Sequence, residues 1–304
     1  NAWIINITLI IIGYQAKKNH NFMNILDKNS REYNSWKTDK LSKFSNNIED
    51  LMVEIRDPME ISSAEKHKCA EIISNSNLVF FEIDKKPADI QQMLVMLSGQ
   101  FGMRNFELME SSDGDGVTKI EVTDSNESKG DYIPYTNKAL NWHTDGYYND
   151  VSEPILSWLL FCQNNVIDGG INKFMDHEIV YILFNENSES IEDLFNNNVF
   201  TIPKNEKTDR PDISGYVFRF LNEKLHMRFS MRERNIIWDD KLRASVQLLK
   251  EIITKNDNYH VKHKLEPNQG VISNNVIHMR TSFTNQENEN RLLYRLRSKT
   301  RIDI

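Results

Sequence analysis

The stretch Asn141-Trp142-His143-Thr144-Asp145-Gly146 sets the reading of the whole chain. His143 and Asp145 stand two apart, so on an extended strand running into a turn both side chains leave the same face. An imidazole and a carboxylate on one face form half of a metal grip. The other half falls on His278 in Ser273-Asn274-Asn275-Val276-Ile277-His278-Met279-Arg280, far downstream, and the fold has to bring it back. Two imidazoles and one carboxylate on one face of an octahedral ion leave three positions open for other ligands. A His-x-Asp spacing alone is a weak signal, and its weight depends on the residues around it.

With 304 residues, 39% of them apolar, the chain can bury a full core as one large domain or two ordinary ones. Its 37 basic and 44 acidic residues give a formal charge of −7, and no long Lys/Arg block interrupts it. That excludes the electrostatic footprint of a nucleic-acid binder and leaves a small-molecule substrate as the expectation. Cys69 and Cys162 make neither a disulfide framework nor a zinc spacing; they read as buried thiols in a reducing, cytoplasmic setting. Residues 2–14 are an apolar run of about a dozen, short of the roughly 20 a membrane helix needs. Lys17 and Lys18 follow this run instead of preceding it, the wrong polarity for a secretory signal. Residues 1–22 are therefore read as an extension whose status is open, with the folded protein starting near Met23. A short membrane or partner anchor is the alternative.

Along the chain, the polar texture of residues 24–47, with scattered Trp36, Leu41 and Phe44, predicts a partly ordered arm. Ser62-Ser63-Ala64-Glu65 predicts a capping box opening a helix to about Ile73. Residues 78–83 are β-branched and aromatic, a strand. Pro87-Ala88-Asp89 starts a helix that stops at Gly102 and turns a Met-rich stripe to the core. Strand-like runs 105–109 and 117–122 flank the acidic turn 111–116, which lacks the spacing and closing Glu of a calcium loop. Beyond a polar loop at 124–131, short β segments dominate. Residues 154–162 read as a strand buried on both faces; Leu156, Trp158 and Leu160 alternate with Ser157, Leu159 and Phe161, and either set can wall a site from water. Further strands are expected at 199–202, 261–265, 270–273 and 292–297, a hairpin at 215–220 with 225–229, and helices at 176–184, 191–195 and 241–254. A mainly β fold with helical insertions fits a jelly roll, a two-sheet barrel whose mouth holds ligands. Residues 23–130 are expected as an N-terminal α/β segment packed on a core of residues 131–304, one continuous domain.

The three-ligand face is the one used by non-haem Fe(II) oxygenases. When such an enzyme takes electrons from a 2-oxo acid, the acid's 1-carboxylate and 2-oxo group fill two metal positions, and its far carboxylate needs a cation. Arginine suits this, being always charged and presenting a planar fork. Arg291 and Arg295 lie thirteen and seventeen residues past His278 and, four apart, share one side of the last predicted strand.

In this order His143-x-Asp145, Gly169-Gly170 with Asn172, residues 270–275 leading into His278-x-Arg280, and Arg291 with Arg295 resemble the TauD/TfdA (taurine dioxygenase-like) family of Fe(II)/2-oxoglutarate-dependent oxygenases, over roughly residues 132–297. The resemblance implies a double-stranded β-helix, hydroxylation of an unactivated C–H bond as the commonest reaction, and conversion of 2-oxoglutarate and O2 to succinate and CO2. It implies that His143, Asp145 and His278 bind iron. Arg291 would pair with the far carboxylate of 2-oxoglutarate, and Arg295 would sit nearer the metal, reaching the 1-carboxylate or an acidic group of the substrate. The family usually has Thr or Ser where this chain has Asn172, whose amide still donates a hydrogen bond. In related halogenases Ala or Gly replaces the carboxylate, so Asp145 favours oxygen transfer.

Other charged residues keep two readings. Arg280 and Arg297 either join the site or decorate a solvated strand face. Within residues 226–234, Arg228 is expected to meet an anionic substrate, with Tyr147 and Tyr148 closing the pocket and Arg232 and Arg234 at a charged rim. His20, His67, His260 and His263 are expected at the surface, and His177 in a structural place. Two further classes compete: a cupin-like metalloenzyme without 2-oxoglutarate, which has no use for Arg291, and a non-catalytic jelly-roll binding protein, in which the three ligands do not converge. Substrate identity and oligomeric state, a homo-oligomer included, are not legible in the sequence.

Overall fold

The apolar run around Trp158 becomes Ser157–Asn164, the longest strand, and it takes a central place in a six-stranded sheet. The structure, a computed structural model, describes residues 27–84, 87–108, 116–123, 133–206, 209–286 and 290–304. In sheet order the six strands are Met52–Ile55, Leu78–Ile83, Gln269–Ser273, Ser157–Asn164, Leu292–Ser298 and Val117–Ile120. Only the first pair is parallel. A four-stranded antiparallel sheet runs Val261–His263, Asn172–Met175, Ile277–Arg280, Leu140–His143.

The two sheets meet through rings on their inner faces. Trp158 of the larger sheet lies 6.2 Å from Phe174 and 4.9 Å from His278 of the smaller one, and Phe80 lies 5.5 Å from Phe174. Such tilted and offset ring pairs close the space between sheets without water.

On the N-terminal side the capping box forms as read: the Ser62 hydroxyl accepts from the Glu65 amide, and the Glu65 carboxylate accepts from the Ser62 amide. The helix Ser63–Ser76 then ends on Asn77 in the left-handed region, φ 56°. Helix Ile90–Gln100 starts on Asp89 and buries Ile90, Met93, Leu94 and Leu97 beside the larger sheet, whereas Met96 of the Met-rich stripe faces solvent.

Several expectations change. In place of a partly ordered arm, Arg31–Ser42 is a helix capped by Ser30. Its polar composition hid it, because only Tyr33 and Lys40 are buried. Tyr33 and Trp36 stack beside Tyr181 of helix His177–Asn187, and Lys40 is buried with its ammonium 2.6 Å from both Asp176 and Glu178. Residues 105–108 form no strand: Asn105 adopts φ 51° and Phe106 makes a single bridge to Ser298. Residues 192–195 are one turn of 3-10 helix. The hairpin shortens to Phe218–Leu221 with Lys224–Met227, and the late helix is Arg243–Lys255. Residues 1–22 with Lys17, Lys18 and His20, Met23, most of the acidic 111–116 turn and the 124–131 loop lie outside the described residues. Among the described residues no helix is long and apolar enough to cross a membrane.

Candidate metal centre

Antiparallel pairing places His143 directly opposite His278, with ring centroids 4.4 Å apart. Asp145 joins them, and one ligand atom from each of the three lies within 4.8 Å of the others, the single such group among the described residues. Each ring is oriented by the backbone two residues before it. His143 Nδ1 is 2.8 Å from the Asn141 carbonyl and His278 Nδ1 is 3.0 Å from the Val276 carbonyl. A carbonyl only accepts, so both Nδ1 atoms carry the proton and both Nε2 lone pairs are free to bind a metal.

The local sequence explains why Asp145 can turn inward. Gly146 has φ +66°, and a Cβ there would meet Ile155 Cγ1 at 2.5 Å, so the chain reverses at once only with glycine. Thr144 ties the strand to its neighbour: its amide donates to the Phe229 carbonyl and its hydroxyl accepts from the Phe229 amide. Asn275, buried and at φ 56°, does more. Its Oδ1 accepts from the Asp145 amide at 2.9 Å, and its Nδ2 donates to the carbonyls of Asp145 at 3.0 Å and Ile155 at 2.7 Å. Standing three residues before His278, it couples the two distant arms of the centre. Asn275→Ala is expected to weaken Fe(II) binding about 10- to 100-fold, as loss of an orienting partner does. Anaerobic metal titration checks this, and wild-type affinity in folded variant would refute the coupling.

Asp145 and His278 are both held in the unprotonated form. Burial pushes the Asp145 carboxyl up, but Arg295, whose Nη1 is 3.4 Å away, and His143 hold it well below the usual carboxylate range. Burial, and then His143, push His278 down to about 3. Burial also depresses His177, His226 and His260. These four imidazoles bind protons more readily in the unfolded chain, so below 6.5 the unfolded state takes up more protons and stability falls as pH falls. The melting temperature of the metal-free protein is therefore expected to drop steadily from pH 7 to pH 5, with His278 alone contributing on the order of 1 kcal/mol per pH unit below 6.5. A flat profile would contradict it.

Beside His143, Asp145 and His278 lies a cavity walled by Leu140, Leu160, Phe174 and Leu293 among others. Asp145 and Arg295 mark one part of its wall, and Asn172, Arg280 and Arg291 another. Arg291 is 3% exposed, its Nε has no hydrogen-bond partner among the described residues, and its guanidinium lies over the Phe283 ring at 5.0 Å. Burial pulls it down to about 10. Gly170 leaves room for it, since a Cβ there would sit 3.2 Å from Arg291 Nε. The Asn172 Nδ2 is likewise buried and unpartnered. Buried donors without partners are costly, and an anionic group between them would satisfy both. The donor set of two imidazoles and a carboxylate fits a divalent ion with open positions.

Other residues stand elsewhere than expected. Arg228 does not line this cavity; it is 2% exposed and its Nη2 donates to the carbonyls of Tyr147 at 2.9 Å and Asn149 at 2.5 Å, bracing the loop after Asp145. Tyr147 and Tyr148 are also absent from its wall. The Tyr147 hydroxyl is engaged by Ser230 and Arg232, and that of Tyr148 accepts from Arg297 Nη1 at 2.9 Å. Neither Arg280 nor Arg297 is on a solvated face. Arg280 is buried and donates to the carbonyls of Thr136 at 2.8 Å and Lys138 at 2.6 Å, and Arg297 is buried in an ion pair with Glu107. His260 is buried between Asp257 and the Ile253 carbonyl, not at the surface; His263 is half-buried against Gln269; His67 is exposed. His177 is buried, its Nε2 donating to the Leu225 carbonyl. Sequence reasoning missed the role of Asn275 and the tilted packing of Trp158 against His278; the alternation around Trp158 was the available signal for the second.

The family model "Taurine catabolism dioxygenase TauD, TfdA family" matches residues 40–297. Solved structures share the fold. An asparagine oxygenase in complex with Fe(II), 2S,3S-3-hydroxyasparagine and succinate is 13% identical, with 78% of this chain and 80% of that chain covered and a TM-score of 0.59. The non-heme iron oxygenase OrfP in complex with Fe is 15% identical over 79% of this chain and 81% of that one, TM-score 0.56. A taurine dioxygenase from Burkholderia xenovorans is 16% identical over 82% and 87%, TM-score 0.56. Among curated proteins none matches significantly.

Proposed function

The chain belongs to the TauD/TfdA family of dioxygenases, and from that premise we propose that it is an Fe(II)/2-oxoglutarate-dependent dioxygenase that hydroxylates a small organic substrate. The observation that carries the reading is one cavity whose wall holds three side chains suited to a metal and a buried guanidinium that has no carboxylate partner among the described residues. Bound Fe(II) supplies the oxygen-activating chemistry, with 2-oxoglutarate and O2 converted to succinate and CO2. His143, Asp145 and His278 would hold the ion. Arg291 and the Asn172 amide would hold the far carboxylate of 2-oxoglutarate. Arg295 keeps Asp145 ionised and stands where it can reach the 1-carboxylate or an anionic group of the substrate; with Arg228 engaged elsewhere, Arg295 is the cation left for that role. Trp158, Phe174 and Leu160 exclude water from the reacting centre.

The two facing sheets support a double-stranded β-helix, or jelly roll. Three strands of the larger sheet come from before residue 131, which supports one continuous domain in which the N-terminal segment completes the core. A cupin-like enzyme without 2-oxoglutarate leaves Arg291 unexplained. Anaerobic addition of Fe(II) and 2-oxoglutarate tests the function. The expected result is the weak visible charge-transfer band of the chelate, followed by succinate release in air. Folded, iron-loaded protein that gives neither would overturn it.

A further inference from the structure

A second cavity shares no wall residue with the first. It opens where the hairpin Phe218–Leu221 with Lys224–Met227 meets the chain leaving strand Leu292–Ser298. Lys224, His226, Lys299 and Arg301 supply its charged and titratable wall, Leu156 and Leu221 its apolar part, and no carboxylate takes part. In a chain of net charge −7 this is a local reversal of sign.

The groups differ in how far they are already engaged. Lys299 is ion-paired with Glu153. Arg301 is fixed, its Nη1 donating to the Leu225 carbonyl at 3.1 Å and its Nη2 to Asn77 Oδ1 at 2.6 Å. Lys224 is exposed and has no ion pair among the described residues. His226 is 3% exposed, and its buried Nε2 has no hydrogen-bond partner. Burial, and then His177 and the guanidinium groups of Arg228, Arg301 and Arg219, oppose a positive charge on His226 itself. Asp176 and Glu178 act on Arg301 from outside the cavity wall, which leaves Lys224 as the cavity's unpaired cation among the described residues. An orphaned imidazole nitrogen near guanidinium groups is costly when left dry, and an oxyanion is the ligand class that meets both the charge and the missing partner.

We propose that this cavity is a binding site for a small multivalent oxyanion, a phosphate or polycarboxylate group, independent of the metal centre. Lys224 and Arg301 would supply countercharge and His226 a hydrogen bond, while Leu156 and Leu221 would contact an apolar portion of the ligand.

The test uses the full, metal-free chain. Inorganic phosphate and citrate are titrated separately by calorimetry and by melting temperature, each against sodium chloride at matched ionic strength. The expected result is saturable millimolar or tighter binding of at least one anion, unchanged in Arg291→Gln. In Lys224→Glu, which alters an exposed hairpin residue and leaves the core intact, the affinity falls tenfold or more, the effect of losing one charge-assisted contact of about 1.5 kcal/mol. Phosphate binding the tighter assigns a phosphate group, and citrate the tighter assigns carboxylates. Melting shifts equal to those in chloride, affinity unaltered in Lys224→Glu, or binding lost in Arg291→Gln would each overturn the assignment.

Discussion

His278→Ala is expected to abolish Fe(II) binding and 2-oxoglutarate turnover together. The ring is one of the three proposed ligands, and its Nε2 is directed at the centre by the Val276 carbonyl and by the tilted Trp158 ring packed against it. No other His, Cys, Asp or Glu among the described residues joins the group, so nothing replaces it. The fold should survive, because the change leaves a cavity behind Trp158 and no uncompensated charge, a cost of about 2–4 kcal/mol. Asp145→Ala should behave differently. It removes the carboxylate beside Arg295 and leaves a guanidinium largely buried without that partner, which costs both metal and several kcal/mol of stability. Comparing the two separates loss of a ligand from loss of fold. Iron counted per folded chain after anaerobic dialysis is the measurement, and stoichiometric iron at wild-type affinity in His278→Ala would remove the proposed centre.

The parts legible in the sequence were those set by local chemistry. Ser62 and Glu65 announce their helix because a capping box is satisfied within four residues. The run around Trp158 announces a doubly covered strand because both faces are apolar. His143 and Asp145 are legible as a spaced imidazole and carboxylate, although Asp145 lies in the turn just past strand Leu140–His143, and Arg291 and Arg295 as a spaced pair of cations, although Arg291 lies just before strand Leu292–Ser298. What stayed hidden depends on partners far along the chain. Helix Arg31–Ser42 looks like a solvated arm until Lys40 meets Asp176 and Glu178. Arg228 looks like a substrate cation until its guanidinium meets the carbonyls of Tyr147 and Asn149. Asn275 looks like one turn residue among several until its amide meets Asp145. An arginine facing a carboxylate ligand and an arginine pinning a loop carry the same letter, and only the third dimension distinguishes them. That distinction bears directly on Arg280 and Arg291, which share the cavity wall and flank the same Phe283 ring.

The Nε of both is buried and unpartnered among the described residues, but Arg280 spends its terminal nitrogens on backbone carbonyls at 136 and 138, whereas the Arg291 guanidinium makes no hydrogen bond there. Arg291→Gln is therefore expected to raise the KM for 2-oxoglutarate about a hundredfold, the effect of removing one partner of a desolvated charge pair at roughly 2.7 kcal/mol. Fe(II) affinity in the absence of 2-oxoglutarate should not change, because Arg291 is not one of the three grouped ligand residues. Stability without co-substrate should hold or rise, since a buried cation held down to about 10 by desolvation is exchanged for a neutral amide. Arg291→Lys should recover little: a point charge on a flexible stem cannot reproduce the planar fork and is more strongly hydrated. Arg280→Gln gives the contrast, destabilising the protein by freeing the 136–138 segment. Steady-state succinate release against 2-oxoglutarate concentration reads the first effect, and thermal melting reads the others. An unchanged KM in Arg291→Gln would detach this guanidinium from the co-substrate, and with it the reason for preferring a 2-oxo acid over other sources of electrons.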